Sequence, residues 1–164
     1  MTKPRERLTI RDYRDCDEAA VLAVLRDLQA HEFQIYDRTR PPEAMGPWYI
    51  GLMKQATAEG KGRILVAQSD DGVLGYASML TSVSAEHERD EIAYTYAYID
   101  DLGVLASARS RGVGAALLEA CEAIAREAGQ RWIRLGVLAG NEGARSFYAR
   151  QGYGEFLLTL EKRL

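Results

Sequence analysis

Apolar and polar positions along this chain alternate in two rhythms, and the changes between them mark out its elements. Leu8 to Asp12 alternates with period two and predicts a first strand. Asp15 with Glu18 three residues on has the form of a capping box, and Val21, Val24, Leu25 and Leu28 then recur at helical spacing. That helix is expected to end near Ala30, before a mixed polar loop from His31 to Arg40. Pro41-Pro42 is suited to open a second helix, with Trp48, Leu52, Met53 and Ala56 on its buried face and a break at Gly46-Pro47. Ile64 to Ala67 and Val73 to Thr81 read as strands joined through the turn Ser69-Asp70-Asp71-Gly72. A charged connection, Ser84 to Asp90, leads into a long strand from Glu91 to Leu105. A helix follows from Gly112 to Ala128, with Val113, Leu117, Ala120 and Ile124 on one stripe and Gly129 as its stop. Trp132 to Leu138 is a further strand, Asn141 to Arg150 a short helix capped by Asn141, and Phe156 to Glu161 a last strand. The resulting order, βααβββαβαβ, predicts an α/β (α+β) fold as one domain over residues 1–164.

Composition narrows the function. At 47% hydrophobic and 27% charged residues, the chain has an ordinary globular balance. Its net charge of -3 predicts no nucleic-acid partner. No apolar run reaches the roughly 18 residues of a membrane span, so no membrane partner is expected. Met1 to Asp12 is charged and lacks an apolar core, which gives the expectation of no secretory signal and a cytoplasmic protein. Cys16 and Cys121 lie far apart, and with His31 and His87 they form no ligand spacing, so no metal is expected.

The chemistry concentrates between Val104 and Ala115. A strand ends, Arg109 and Arg111 follow, and Gly112 and Gly114 open a helix. The first amides of a helix lack intrahelical partners and sit at the positive end of its dipole, so a phosphate can accept from several at once. Glycine allows close backbone approach, and arginine adds charge-assisted bonds. A P-loop would require Gly-Lys-Ser/Thr, which is not present, and a dinucleotide fingerprint would require a small residue where Leu117 stands.

Arg109-Ser110-Arg111-Gly112-Val113-Gly114 resembles motif A, Arg/Gln-x-x-Gly-x-Gly/Ala, of the GNAT superfamily of acyl-CoA-dependent N-acetyltransferases. Ala106 and Ser110 stand where many members have proline and glycine. Asn141 to Tyr153 is similar to motif B, Asn-x-x-Ala-x-x-Phe-Tyr-x-x-x-Gly-Phe/Tyr, with Ala144, Phe147, Tyr148 and Gly152 at the matching places. The two motifs occur in family order with a strand between them. The resemblance implies a mixed, mostly antiparallel central sheet, splayed between strands four and five, with helices on both faces. It implies acetyl-CoA in the splay, with the amides of Leu102 and Val104, flanking Gly103, on the pantetheine arm. Arg109, Ser110 and the amides of Arg111, Gly112, Val113, Gly114 and Ala115 would take the pyrophosphate, and Asn141 and Ala144 would lie along the arm. Only one strand fits after Gly152, where many members have two.

Acetyl transfer to an amine requires a neutral nucleophile, a stabilised thioester oxygen and a proton for the departing sulfur. The family route is direct attack in a ternary complex. Tyr148, one helical turn from Ala144, is the candidate acid. Asp100 aligns best with the acidic base of some members, with Asp101 as the alternative. Successive strand residues face opposite sides, so only one of the two should face the substrate unless a bulge intervenes. The amide of Leu102 or a neighbour is the candidate oxyanion donor. Cys121 reads as core filling. The acceptor site implied by the family comprises His31 to Arg38 and the acidic run Glu86 to Glu91, which predicts a small-molecule or peptide amine as partner. A homodimer is compatible with the resemblance. The alternatives are a non-catalytic acyl-CoA-binding or regulatory domain, and an acyltransferase with another donor or an oxygen acceptor.

Overall fold

A computed structural model of the chain describes residues 8–85 and 92–164. In chain order it contains β1 (Thr9–Asp12), α1 (Glu18–Phe33), α2 (Pro47–Ala58), β2 (Gly62–Ser69), β3 (Gly72–Ser84), β4 (Thr95–Val104), α3 (Val113–Glu127), β5 (Ile133–Leu135) and α4 (Glu142–Arg150). The strands form one five-stranded sheet in sequential order. β1 to β4 pair antiparallel, and β5 joins β4 in parallel. The mixed, mostly antiparallel sheet expected from the sequence is therefore present.

Alternation along the strands explains the layers. Ile64, Val66 and Tyr76 point to one face and pack with Val21, Val24 and Leu25 of α1 and Ile50 and Met53 of α2. Leu65, Ala67, Ala77, Met79, Ala97 and Ile99 point to the other and pack with Val113, Leu117, Leu118 and Cys121 of α3, with Phe147 and Tyr148 of α4 at the margin. Leu117 and Leu118 are fully enclosed, each worth about 1.5–3 kcal/mol of burial. The Cys121 thiol lies among them, and burial pushes its pKa up to about 12, so it is inert filling.

Several local expectations are corrected. The turn before α1 is closed by Asp17, which accepts from the Arg14 amide at 2.8 Å and from the Arg11 guanidinium at 2.7 and 2.8 Å. Asp15 instead faces Lys54 at 2.7 Å. The first helix runs on to Phe33. The second helix buries Ile50 and Met53, while Trp48 and Leu52 are exposed. β5 is shorter than Trp132 to Leu138. Phe156 to Glu161 carries no strand pairing and is exposed. The acidic run Glu86 to Glu91, with His87, lies outside the described residues.

Candidate active site

β4 keeps β5 as a neighbour only from Ala97, opposite Ile133, to Ile99, opposite Leu135. It then continues alone on that side to Val104 while still pairing with β3. The sheet therefore splays after Ile99, as expected. A β-bulge sits at the same point: Met79 pairs with Ile99 and Ser78 with Asp101, leaving Asp100 opposite no residue.

The bulge has two effects. The Leu105 amide donates to Leu74 O at 2.9 Å, so by strand alternation the amides of Gly103 and Asp101 also face β3. Those of Leu102 and Val104 face the side that β5 has left. The bulge also reverses the faces of the side chains. Without it, Asp101 would share the α3 side with Ala97 and Ile99. With it, Asp101 turns toward α1 and α2, and Asp100 is left exposed.

Asp101 enters a pocket of phenols. The hydroxyl of Tyr76, a fully buried residue of β3, donates to Asp101 Oδ2 at 2.7 Å. Burial pushes the Asp101 carboxyl up to about 6, against the hydrogen bonds from Tyr76 and Tyr49; the negative charges of Glu32 and Asp100 push the same way as burial. Glu32, on the last turn of α1, is raised by its own burial, with His31 the only charge acting against it. Tyr49 and Tyr76 are both raised, first by burial and then by Asp101. Gly103 lies beneath this arrangement. A Cβ there would meet Tyr76 Cε1 and Val24 Cγ1, each at 3.0 Å, so its bareness makes room for the tyrosine that holds Asp101.

The loop before α3 is shaped by left-handed residues. Gly112, the N-cap, has φ 84° and open space where a Cβ would be. Ala116 is the first amide to close onto the helix, donating to Gly112 O at 3.0 Å. The amides of Val113, Gly114 and Ala115 therefore have no helical carbonyl to meet. Gly114 has a different reason from phosphate approach: a Cβ there would meet Phe147 Cζ at 3.1 Å, so its bareness lets α4 pack on the start of α3. Arg109 lies back along the loop, with Nε donating to Val104 O at 3.3 Å and the guanidinium 3.8 Å from Asp27 of α1. Ser110 has φ 61°, a left-handed conformation that disfavours any residue with a Cβ by roughly 1–2 kcal/mol. The position explains why glycine is common there. Ser110→Gly relieves the strain, while its extra unfolded-state freedom costs about 0.5–1 kcal/mol. A small rise in Tm, about 1–2 °C, is expected by calorimetry.

α4 is capped as the sequence predicted. The Asn141 side chain accepts from the Ala144 amide at 3.1 Å, and Asn141 is buried. Phe147 and Tyr148 are both half-buried, and Tyr148 packs against Phe147 and Tyr153. Burial, followed by the charges of Asp101 and Glu32, pushes the Tyr148 phenol up to about 12, so it keeps its proton at neutral pH. Those causes tie α4 to the Asp101 pocket across the splay. Tyr49 and Tyr76 carried no sequence signal beyond packing. The one available clue was a tyrosine in β3 whose cross-strand partner, Gly103, leaves it room.

The acetyltransferase (GNAT) family model matches residues 22–153, and the chain belongs to that family. Among solved structures, the tetramutant of the BH1408 protein from Bacillus halodurans is similar with a TM-score of 0.80 at 24% identity, over 95% of this chain and 99% of that one. Glucosamine-6-phosphate N-acetyltransferase from Arabidopsis thaliana gives 0.70 at 15%, over 96% and 99%. A Trypanosoma brucei acetyltransferase gives 0.67 at 19%, over 96% and 100%. At these identities the likeness is one of fold. No curated protein matches the chain in sequence. Among the described residues no helix is long and apolar enough to cross a membrane, and no cluster of potential metal ligands occurs.

Proposed function

We propose that this protein transfers an acetyl group from acetyl-CoA to a primary amine by direct attack in a ternary complex, with Asp101 as the base and Tyr148 as the donor to sulfur. The observation that carries this reading is the bulge at Asp100, which turns a half-buried carboxylate, held by the Tyr76 hydroxyl, into the pocket beside an unpaired strand edge. The residues fit the cofactor. The free sides of Leu102 and Val104 offer a ladder to the pantetheine amides, and the start of α3 offers Val113, Gly114 and Ala115 to the pyrophosphate. The thioester supplies the acyl group.

Asp101 takes a proton from the incoming ammonium group. Its rise from the ordinary carboxylate range to about 6 narrows the gap to an amine and makes it a stronger base than an ordinary carboxylate. Glu32 and Asp101 present negative charge with no cationic side chain among the causes acting on them except His31. That favours a cationic acceptor. The Leu102 N–H would donate to the thioester carbonyl oxygen as charge develops, leaving the Leu102 carbonyl and the Val104 N–H for the pantetheine amides. Tyr148 donates to the sulfur as the carbon–sulfur bond breaks. Once Asp101 holds a proton, one of the charges that raises Tyr148 is gone, which makes the phenol a better donor at that moment.

The test is a panel of amines with acetyl-CoA, read by release of free thiol. Thiol release with at least one primary amine is expected; none above background with any amine contradicts the reading. On the amine found, Tyr148→Phe should lower kcat more than about tenfold with little change in cofactor affinity. An unchanged kcat removes Tyr148 from the mechanism.

A further inference from the structure

The loop from Leu105 to Gly112 joins the freed edge of β4 to the start of α3, and it has a shape that the chain does not take unaided. Ser110 at φ 61° and Gly112 at φ 84° are both left-handed. A residue with a Cβ stays in that region only where its surroundings over-determine it. Two of the contacts that do so are made with the nearest elements. The Leu105 amide donates to Leu74 O at 2.9 Å, and Ala108, fully buried, donates its amide to Leu105 O at 2.8 Å.

The third contact comes from across the fold. Ala106 opens a single turn of 3-10 helix, Ala106–Ala108, and Leu105 before it caps that turn with no side-chain bond. Asp27 of α1 supplies the missing acceptor: its Oδ2 accepts from the Ala106 amide at 2.6 Å. A carboxylate holds an amide more strongly than a neutral acceptor does. The same oxygen lies 3.8 Å from the Arg109 guanidinium, whose Nε donates to Val104 O at 3.3 Å. The N–H and C=O of one strand residue point to the same side, so Val104 O lies on the edge that β5 has left. Arg109 therefore stands where that edge gives way to the loop, with 43% of its side chain exposed. One turn earlier on α1, Val24 packs against Gly103, where a Cβ would come within 3.0 Å of it. The helix toward which Asp101 turns thus also reaches the loop before α3.

We propose that Asp27 is a positioning residue for the cofactor. From α1 it fixes the Ala106 turn, and through that turn it holds the strained loop, so that Arg109 and the amides of Val113 to Ala115 meet the diphosphate already in place. The proposal rests on the cofactor reading of this loop and adds what builds it. Without the Asp27 carboxylate the loop can relax out of its left-handed shape, and the order lost must be restored when the cofactor binds. The cost then falls on cofactor affinity and leaves the chemical step alone.

The test is calorimetric titration of coenzyme A into the native chain, Asp27→Ala, Asp27→Asn, and Asp27→Ala combined with Ala106→Pro. Alanine favours a helix and the Asp27 side chain is 35% exposed, so the first variant keeps the fold. Proline has no amide to be held, and its ring fixes φ at the first position of the turn, where Leu105 at ψ 138° suits it. Kd should rise about five- to tenfold in Asp27→Ala, the strength of one such bond. Asp27→Asn keeps an oxygen for the Ala106 amide and should remain close to the native value. The added Ala106→Pro should recover most of the loss. The kcat at saturating acetyl-CoA and the KM for the amine should not change in Asp27→Ala. A native Kd in Asp27→Ala, a loss that Asp27→Asn shares in full, or one that Ala106→Pro leaves uncorrected overturns the proposal while the cofactor reading stands. A native chain that does not bind coenzyme A overturns both.

Discussion

Asp101→Asn should lower kcat/KM for the amine about a hundredfold or more, the usual worth of a general base, and should also make the folded protein more stable at pH 8. Both effects have the same cause. In the native chain burial raises the carboxyl to about 6, so between the ordinary carboxylate value and pH 6 the folded state binds more protons than the unfolded one. Stability therefore falls as pH rises through that window, and the ionised carboxylate remains a burden above it. Asparagine keeps an oxygen for the Tyr76 hydroxyl and removes the charge. The gain should be near zero below pH 4 and about 2 kcal/mol above pH 7, which corresponds to about 4–8 °C in Tm for a chain of this size. Melting curves at pH 4 and pH 8, beside initial rates, check both halves. An inactive variant with no pH-dependent gain would mean that the aspartate is not strained in the way described. For the native enzyme, the acid limb of kcat/KM should lie near pH 6.

The second large effect is structural. Gly75 of β3 pairs with Val104 of β4 across the ladder. A Cβ there would meet Gly103 O at 2.7 Å, Val113 Cγ1 at 3.2 Å and Leu117 Cδ1 at 3.3 Å. The nearest atom is a backbone oxygen, so no side chain can rotate away to relieve that contact. Gly75→Ala should cost about 1–3 kcal/mol or more, typical of overpacking, and lower Tm by several degrees. The displaced segment of β4 carries the free amides of Leu102 and Val104, so the KM for acetyl-CoA should rise in the protein that remains folded. Urea denaturation and steady-state kinetics separate the two. An undisturbed Tm would show that β3 and β4 can part there without penalty.

Much of this site was readable from the residues, and the part that was not has a common physical origin. The start of α3 and the cap of α4 are local: Gly112 and Asn141 act through their own backbone and the next three residues, so spacing alone places them. The direction of Asp101 is not local. It depends on a bulge, an extra residue in the register between two strands, and the sequence Asp100-Asp101 favours neither phase. The Tyr76 and Tyr49 hydroxyls acquire their roles only when β3 and α2 meet that bulge. Glycines were legible as a pattern but not in their reasons. Gly112 answers to φ, Gly114 to Phe147 and Gly103 to Tyr76, and only tertiary packing separates the three. α2 buries Ile50 and Met53 and leaves Trp48 and Leu52 outside, because the helix is apolar around most of its girth and periodicity could not set its phase. Phe156 to Glu161 has the composition of a strand but no ladder, since alternation marks a segment fit to pair and does not supply the partner.

The central claim is that coenzyme A lies in the gap between β4 and β5, along the freed edge of one and against the first turn of α3. Amide hydrogen exchange with and without acetyl-CoA measures this most directly. Slowed exchange at Leu102, Val104 and Val113 to Ala115, with little change in β1 and β2, is the predicted result. Protection confined to other segments, or none at saturating ligand, would contradict it.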